Sequence, residues 1–227
     1  MGARIAVVDY HKGNLASVQR GLSDAGFDAF ITDDAAAIRS ADGIVLPGVG
    51  AFADAMATMN EMGQADAIRS AVAAGAPFLG ICLGLHLLFE WGDEGCPAGT
   101  RMEGLGILHG HVMRVESIDP AGNKLKVPHV GWNTVDFTQA VQIDGQTASP
   151  VPLFAGVPDH SHFYFTHSYN VVADSADDII ATTTHARPFD SAVAHGLVFG
   201  VQFHPEKSST LGLRVLSNFG TIVESFG

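Results

Sequence analysis

Apolar and polar positions fall into two kinds of block along the first hundred residues. "RIAVVDY" (4–10) is an apolar run of strand length, and "NLASVQRGLSDA" (14–25) spaces its apolar residues as a helix does. "FDAFIT" predicts a second strand and "GIVLPGVG" a third, closing in a glycine-rich turn. "AFADAMATMNEMG" and "ADAIRSAVAAG" then predict two helices. "PFLGI" (77–81) predicts a strand that stops at Cys82, with "LGLHLLFEW" continuing as a helix. Strands alternating with helices imply a parallel sheet covered on both faces. In such sheets, sites gather where strand C-terminal ends meet helix N-termini.

After about residue 104 the pattern changes. "LGILHGHVMRV", "VPHVGWNTVDF", "HFYFTHSYNVVA", "DIIATTTH" and "SAVAHGLVFGVQFH" read as strands joined by turns, before a final helix over 208–224. The polar stretch 138–150 reads as a surface loop. The expected fold class is α/β, with a mixed, mostly parallel central sheet flanked by helices and antiparallel strands in the second half. A length of 227 residues suits one domain over 1–227.

Composition narrows the function classes. Hydrophobic residues make up 47%, enough for a sizeable core, and the net charge of −12 disfavours nucleic acid or an anionic membrane as partner. No apolar run reaches the roughly 18–20 residues that cross a bilayer. "MGARIAVVDY" lacks the marks of a signal peptide, and two cysteines do not make a disulfide scaffold, so the cytoplasm is the expected compartment.

Cys82 lies between small neighbours at a strand–helix junction. A sharp turn there lifts a side chain clear of the sheet, and a helix N-terminus favours thiolate over thiol. In isolation the pattern fits a buried structural cysteine equally well. "GVQFHPEKSS" (200–209) changes the balance: His204 ends another apolar strand, and Glu206 is near enough to orient its imidazole. A cysteine nucleophile needs such a base, and the base needs a carboxylate to fix its tautomer. "LPGVGAF" (46–52) supplies a glycine turn whose backbone N–H groups at Val49 and Gly50 could meet an oxyanion beside that of Leu83.

"LPGVGAF", "GICLG" and "QFHPEKS", in this order, resemble the class I, triad-type glutamine amidotransferases. The resemblance implies that family's fold, a catalytic set of Cys82, His204 and Glu206, and no cofactor or metal. "VVDYHKGNLASV", "VPHVGWN" and "FYFTHSY" further resemble the subfamily of glutaminase subunits of imidazole glycerol phosphate synthases, in histidine biosynthesis. That likeness implies a heterodimer with a (β/α)8 cyclase, to which ammonia from glutamine is passed through a tunnel. It places Asn14, Trp132 and Lys207 at the interface between the subunits. Gly48, His86 and the run Thr166, His167, Ser168 and Tyr169 would hold glutamine, the last four largely through backbone groups.

Two departures stand out. His86 occupies a position where relatives commonly carry Gln, and His11-Lys12 replace a smaller pair before Gly13-Asn14. At i+4 from Cys82, His86 shares its helix face and should approach the pocket wall. The pairs His109/His111 and His160/His162 have metal-compatible spacing without a third ligand, and solvated or backbone-bonded roles suit them better. Cys96 reads as a loop thiol. Two other functions fit the same motifs: a paralogue feeding ammonia to another acceptor such as a sugar, and a catalytically silent binding subunit, which the intact Cys82, His204 and Glu206 disfavour.

Overall fold

The computed structural model describes residues 2–139, 141–143 and 146–226. The first half runs β1 (Arg4–Val8), α1 (Leu15–Asp24), β2 (Asp28–Thr32), α2 (Ala35–Arg39), β3 (Gly43–Gly48), α3 (Phe52–Glu61), α4 (Gln64–Ala73), β4 (Phe78–Cys82) and α5 (Leu83–Leu87). The second half is almost all strand: β5 (Trp91–Gly92), β6 (Met102–Glu103), β7 (Gly110–Arg114), β8 (His129–Phe137), β9 (Val141–Ile143), β10 (Gln146–Ala148), β11 (Ser161–His167), β12 (Tyr169–Ala173), β13 (Ile179–His185), β14 (Arg187–His195) and β15 (Val198–Val201). The long helix α6 (Ser209–Phe226) closes the chain.

The main sheet runs β2-β1-β3-β4-β15-β14-β12-β7-β5-β6, and β13, β8 and β11 branch from β14. β2, β1, β3, β4 and β15 pair in parallel, and β14 turns the sheet antiparallel. Strand periodicity divides the core. Ile5, Val7, Val45 and Leu79 face one side, packed with Leu22, Leu216 and Phe219 of α1 and α6. Ile44, Leu46 and Phe78 face the other, packed with Ile38, Met56 and Ile68 of α2, α3 and α4. Successive side chains on a strand point to opposite faces, so one apolar run feeds both cores. Among the described residues, no helix is long and apolar enough to cross a membrane.

Five sequence expectations are corrected. Helix α2 is absent from the periodicity reading; it starts at Asp34, whose side chain accepts from the Ala36 and Ala37 N–H groups at 3.1 and 3.2 Å, a standard N-cap. Helix α5 stops at Leu87 instead of continuing to Trp91. The cause is the segment 105–108, expected as strand: Leu105 N–H donates to Leu87 O, Ile107 and Leu108 to Leu88 O, and Gly106 to Phe89 O. Those bonds satisfy carbonyls that a continuing helix would have used. The run 162–173 breaks at Ser168 into two strands with different neighbours, β8 and β7. Within 138–150, expected as loop, β9 and β10 form a separate antiparallel ribbon.

Candidate active site

The register of the parallel strands builds the site. Gly48 at the end of β3 lies opposite Cys82 at the end of β4, and Val201 at the end of β15 lies opposite Ile81. Gln202 therefore emerges beside Cys82, with His204 two residues beyond. Three strand ends meet at one edge, where parallel α/β sheets carry their ligands.

Cys82 has φ +54° and ψ −105°, a conformation rare for a side-chain-bearing residue and costing about 1–3 kcal/mol. Packing enforces it. A Cβ on Gly84 would sit 1.7 Å from the Leu46 carbonyl oxygen, and one on Gly80 would sit 2.5 Å from that of Gly84. Only glycine lets β4, β3 and the start of α5 approach so closely. The sulfur points at the Thr166 carbonyl and the Gln202 side-chain nitrogen, each 3.8 Å away.

His204 and Glu206 form a buried pair, with Nδ1 2.9 Å from Oε1 and side chains 3% and 2% exposed. A carboxylate only accepts, so Nδ1 carries the hydrogen. Nε2 has no hydrogen-bond partner among the described residues, and Cys82 is close enough to act on it electrostatically. Burial opposes protonation of His204, but Cys82 and Glu206 outweigh it and raise the imidazole to about 9. Ser208 fixes the turn: its hydroxyl donates to His204 O at 2.7 Å and accepts from Tyr164 N–H at 2.9 Å.

A cavity of about 340 Å³ opens over the sulfur, lined by Val49, Gly50, Leu83, His86 and Thr166 to Tyr169 among others. Val49 and Gly50 donate no N–H to any described protein acceptor, and Gly50 adopts φ +110°. Gly48 packs on Tyr10, where a Cβ would fall 1.6 Å from the phenol oxygen. Tyr10, absent from the sequence reading, is fully buried with an unpartnered hydroxyl, and burial first and then the charge of Cys82 keep it protonated.

The other expected substrate residues divide by accessibility. His167 is buried, receiving the His129 Nδ1–H at 2.9 Å and donating from its own Nδ1 to Tyr169 O at 2.8 Å. Burial drives His167 to about 3, so its ring is a neutral wall and not a charged contact. His86 borders the cavity, yet its ring is buried and its Nε2 lies 2.8 Å from Gln202 Oε1. Burial lowers it to about 4, against the Gln202 hydrogen bond, which excludes it as a charged group near neutral pH.

The sequence reading also missed Glu94 and Gln202. Glu94 reaches the cavity from the loop after β5, and burial pushes its carboxyl up to about 7. "QFHPE" did contain Gln202, but its position depends on the β4–β15 register.

The expected interface residues Asn14, Trp132 and Lys207 are exposed, Trp132 by 54%. Trp132 packs edge-on against Tyr164, 6.2 Å between centroids, and Tyr164 O accepts from His204 N–H at 2.9 Å. An exposed aromatic thus lies one residue, Tyr164, from the backbone of His204. The histidine pairs go elsewhere: His109 meets Glu90, His111 stacks on Trp91, and His160 joins Asp136 and Asp159 on the surface.

A family model described as glutamine amidotransferase class-I matches residues 6–222. A protein of Moorella thermoacetica named imidazole glycerol phosphate synthase subunit HisH is 46% identical, covering 98% of this chain and 97% of that one. A protein of the same name from Symbiobacterium thermophilum is 47% identical over 97% and 95%. Among solved structures, a putative GMP synthase protein of Thermoplasma acidophilum superposes with a TM-score of 0.69 at 19% identity, covering 100% of this chain and 96% of that one. PurLQS from Thermotoga maritima gives 0.68 at 18%, covering 98% and 99%. At those identities, the two structures speak to the fold alone.

Proposed function

The chain belongs to the class-I glutamine amidotransferase family, and from that premise we propose that residues 1–227 act as the glutaminase subunit of an imidazole glycerol phosphate synthase. The observation that carries the chemistry is the buried His204–Glu206 pair beside a thiol held on a strained elbow, under a substrate-sized cavity.

The Cys82 thiolate attacks the side-chain amide carbon of glutamine. Negative charge gathers on the amide oxygen, and the N–H groups of Leu83 and of the Val49–Gly50 turn stabilise it, each donor worth about 3–4 kcal/mol. His204 gives its proton to the amide nitrogen, the C–N bond breaks, and ammonia leaves a thioester on Cys82. His204 then takes a proton from water, the hydroxide attacks the thioester, and the C–S bond breaks to release glutamate. Glu206 holds Nδ1–H throughout, leaving Nε2 free to give and take the proton.

Glutamine also carries an ammonium and a carboxylate. Glu94 is the acidic group in the cavity wall, and we assign it to the ammonium. Its carboxyl is poised near 7, so protonation weakens that attraction below neutrality. The KM for glutamine should therefore fall as pH rises from 6 to 8. Glu94→Gln should raise KM by about tenfold with kcat little changed, and should flatten that pH trend. Steady-state kinetics across this range check both.

Ammonia is handed to a cyclase, which we expect to be a (β/α)8 barrel docked on the face bearing Asn14, Trp132 and Lys207. The proposal is tested by co-purifying the chain with that cyclase and following glutamine-dependent formation of imidazole glycerol phosphate. Glutamine hydrolysis should also rise when the cyclase and its ligand are added. Absence of a complex, or glutamine turnover without product, overturns the assignment.

A further inference from the structure

His86 is a titratable group against the nucleophile that the mechanism above leaves idle. Its ring is buried, and its Nε2 lies 2.8 Å from Gln202 Oε1. Gln202 is fully buried, and its Nε2 lies 3.8 Å from Cys82 Sγ, at the outer edge of N–H···S contact. The three side chains come from α5, β4 and the end of β15 and form one line ending on the sulfur.

The amide orientation of Gln202 sets the protonation pattern of that line. The Gln202 oxygen only accepts, so the His86 hydrogen sits on Nε2. The opposite amide orientation would need a bare His86 Nε2 and a hydrogen on Nδ1. That atom makes no hydrogen bond, although the Tyr169 carbonyl acts on the ring. What opposes the flip is the sulfur: it would turn the Gln202 oxygen toward Cys82, against the charge that gathers there. The His86 tautomer therefore decides which end of the Gln202 amide meets Cys82.

We propose that His86 is a positioning residue, which through Gln202 keeps an N–H donor directed at the Cys82 sulfur. This inference rests on Cys82 being the nucleophile. Glutamine at position 86 would serve the same end, because both side chains offer an N–H to the Gln202 oxygen. His204 remains the proton carrier, because it has an orienting carboxylate and His86 has none.

The test reads the sulfur directly, in a full-length Cys96→Ser chain so that Cys82 is the single thiol. The rate of iodoacetamide labelling is followed from pH 5 to 10. The ionisable neighbours His204, Glu206, Tyr10, Glu94 and His167 are retained in every variant. His86→Leu should label about fivefold more slowly at pH 7, with its profile displaced to higher pH. Gln202→Leu should do the same, and the double variant should be no slower than Gln202→Leu alone. His86→Gln should stay within roughly twofold of the parent. A purely packing role for His86 would leave the profile of a folded His86→Leu unmoved.

Unchanged labelling in Gln202→Leu overturns the proposal, even where His86→Leu does not fold. So does a double variant slower than both singles, or His86→Gln as slow as His86→Leu. A failure of the nucleophile reading looks different: glutamine hydrolysis would then survive complete labelling of the parent chain.

Discussion

Replacing Cys82 by alanine is expected to lower glutamine hydrolysis by about ten-thousand-fold or more. Alanine keeps the Cβ and therefore the strained backbone at φ +54°, so the pocket persists while the bond-forming atom is lost. Tyr10 is held protonated by burial, and His86 is buried and turned toward Gln202. With the cyclase bound, an ammonium salt should still support product formation, because the step removed only releases ammonia. Two assays on one preparation decide the matter: glutamine as nitrogen source, and ammonium at matched pH. Glutamine-dependent activity within tenfold of the parent would show that another residue is the nucleophile, whereas loss with both nitrogen sources would point to a broken complex. His204→Ala should fall to a similar floor, and the double variant little further, since the two residues act as one unit.

The parallel half of the fold was legible because each strand feeds two cores. Runs such as "GIVLPG" bury residues on both faces, and their length between helical blocks separates them from helices. The second half was legible as strands but not in its connections. The break at Ser168 has neither glycine nor proline to mark it, and arises because β11 pairs with β8 while β12 pairs with β7. The segment 105–108 has a strand's composition and serves as a cap for α5, a role that depends on where Leu87 and Leu88 lie in space. The candidate triad was readable for a local reason: Cys82, His204 and Glu206 each lie at or just beyond a strand end, within a short motif. Gln202 and Glu94 carry no such mark. One depends on strand register across 120 residues, the other on how a loop folds over the cavity.

Glu206→Gln should lower glutaminase turnover by about a thousandfold while leaving the fold intact, and it should change how stability depends on pH. In the parent chain, the carboxylate accepts from His204 Nδ1–H at 2.9 Å with both side chains buried. A glutamine there can present its NH₂ instead, which forces the imidazole hydrogen onto Nε2. A hydrogen on Nε2 leaves no lone pair to receive the thiol's proton. The raised imidazole also ties stability to pH. His204 holds its proton to about 9 when folded, and the unfolded chain releases it near 6.5. The contribution of that proton is therefore complete below pH 6.5 and lost as pH rises through 9. Removing the carboxylate removes part of what outweighs burial, so the His204 pKa falls in the variant. The gap in thermal midpoint between the parent chain and Glu206→Gln should be widest near pH 6.5 and should narrow toward pH 10. Parallel curves across that range would mean that Glu206 does not sustain the charge on His204, and the thousandfold loss would then need another cause.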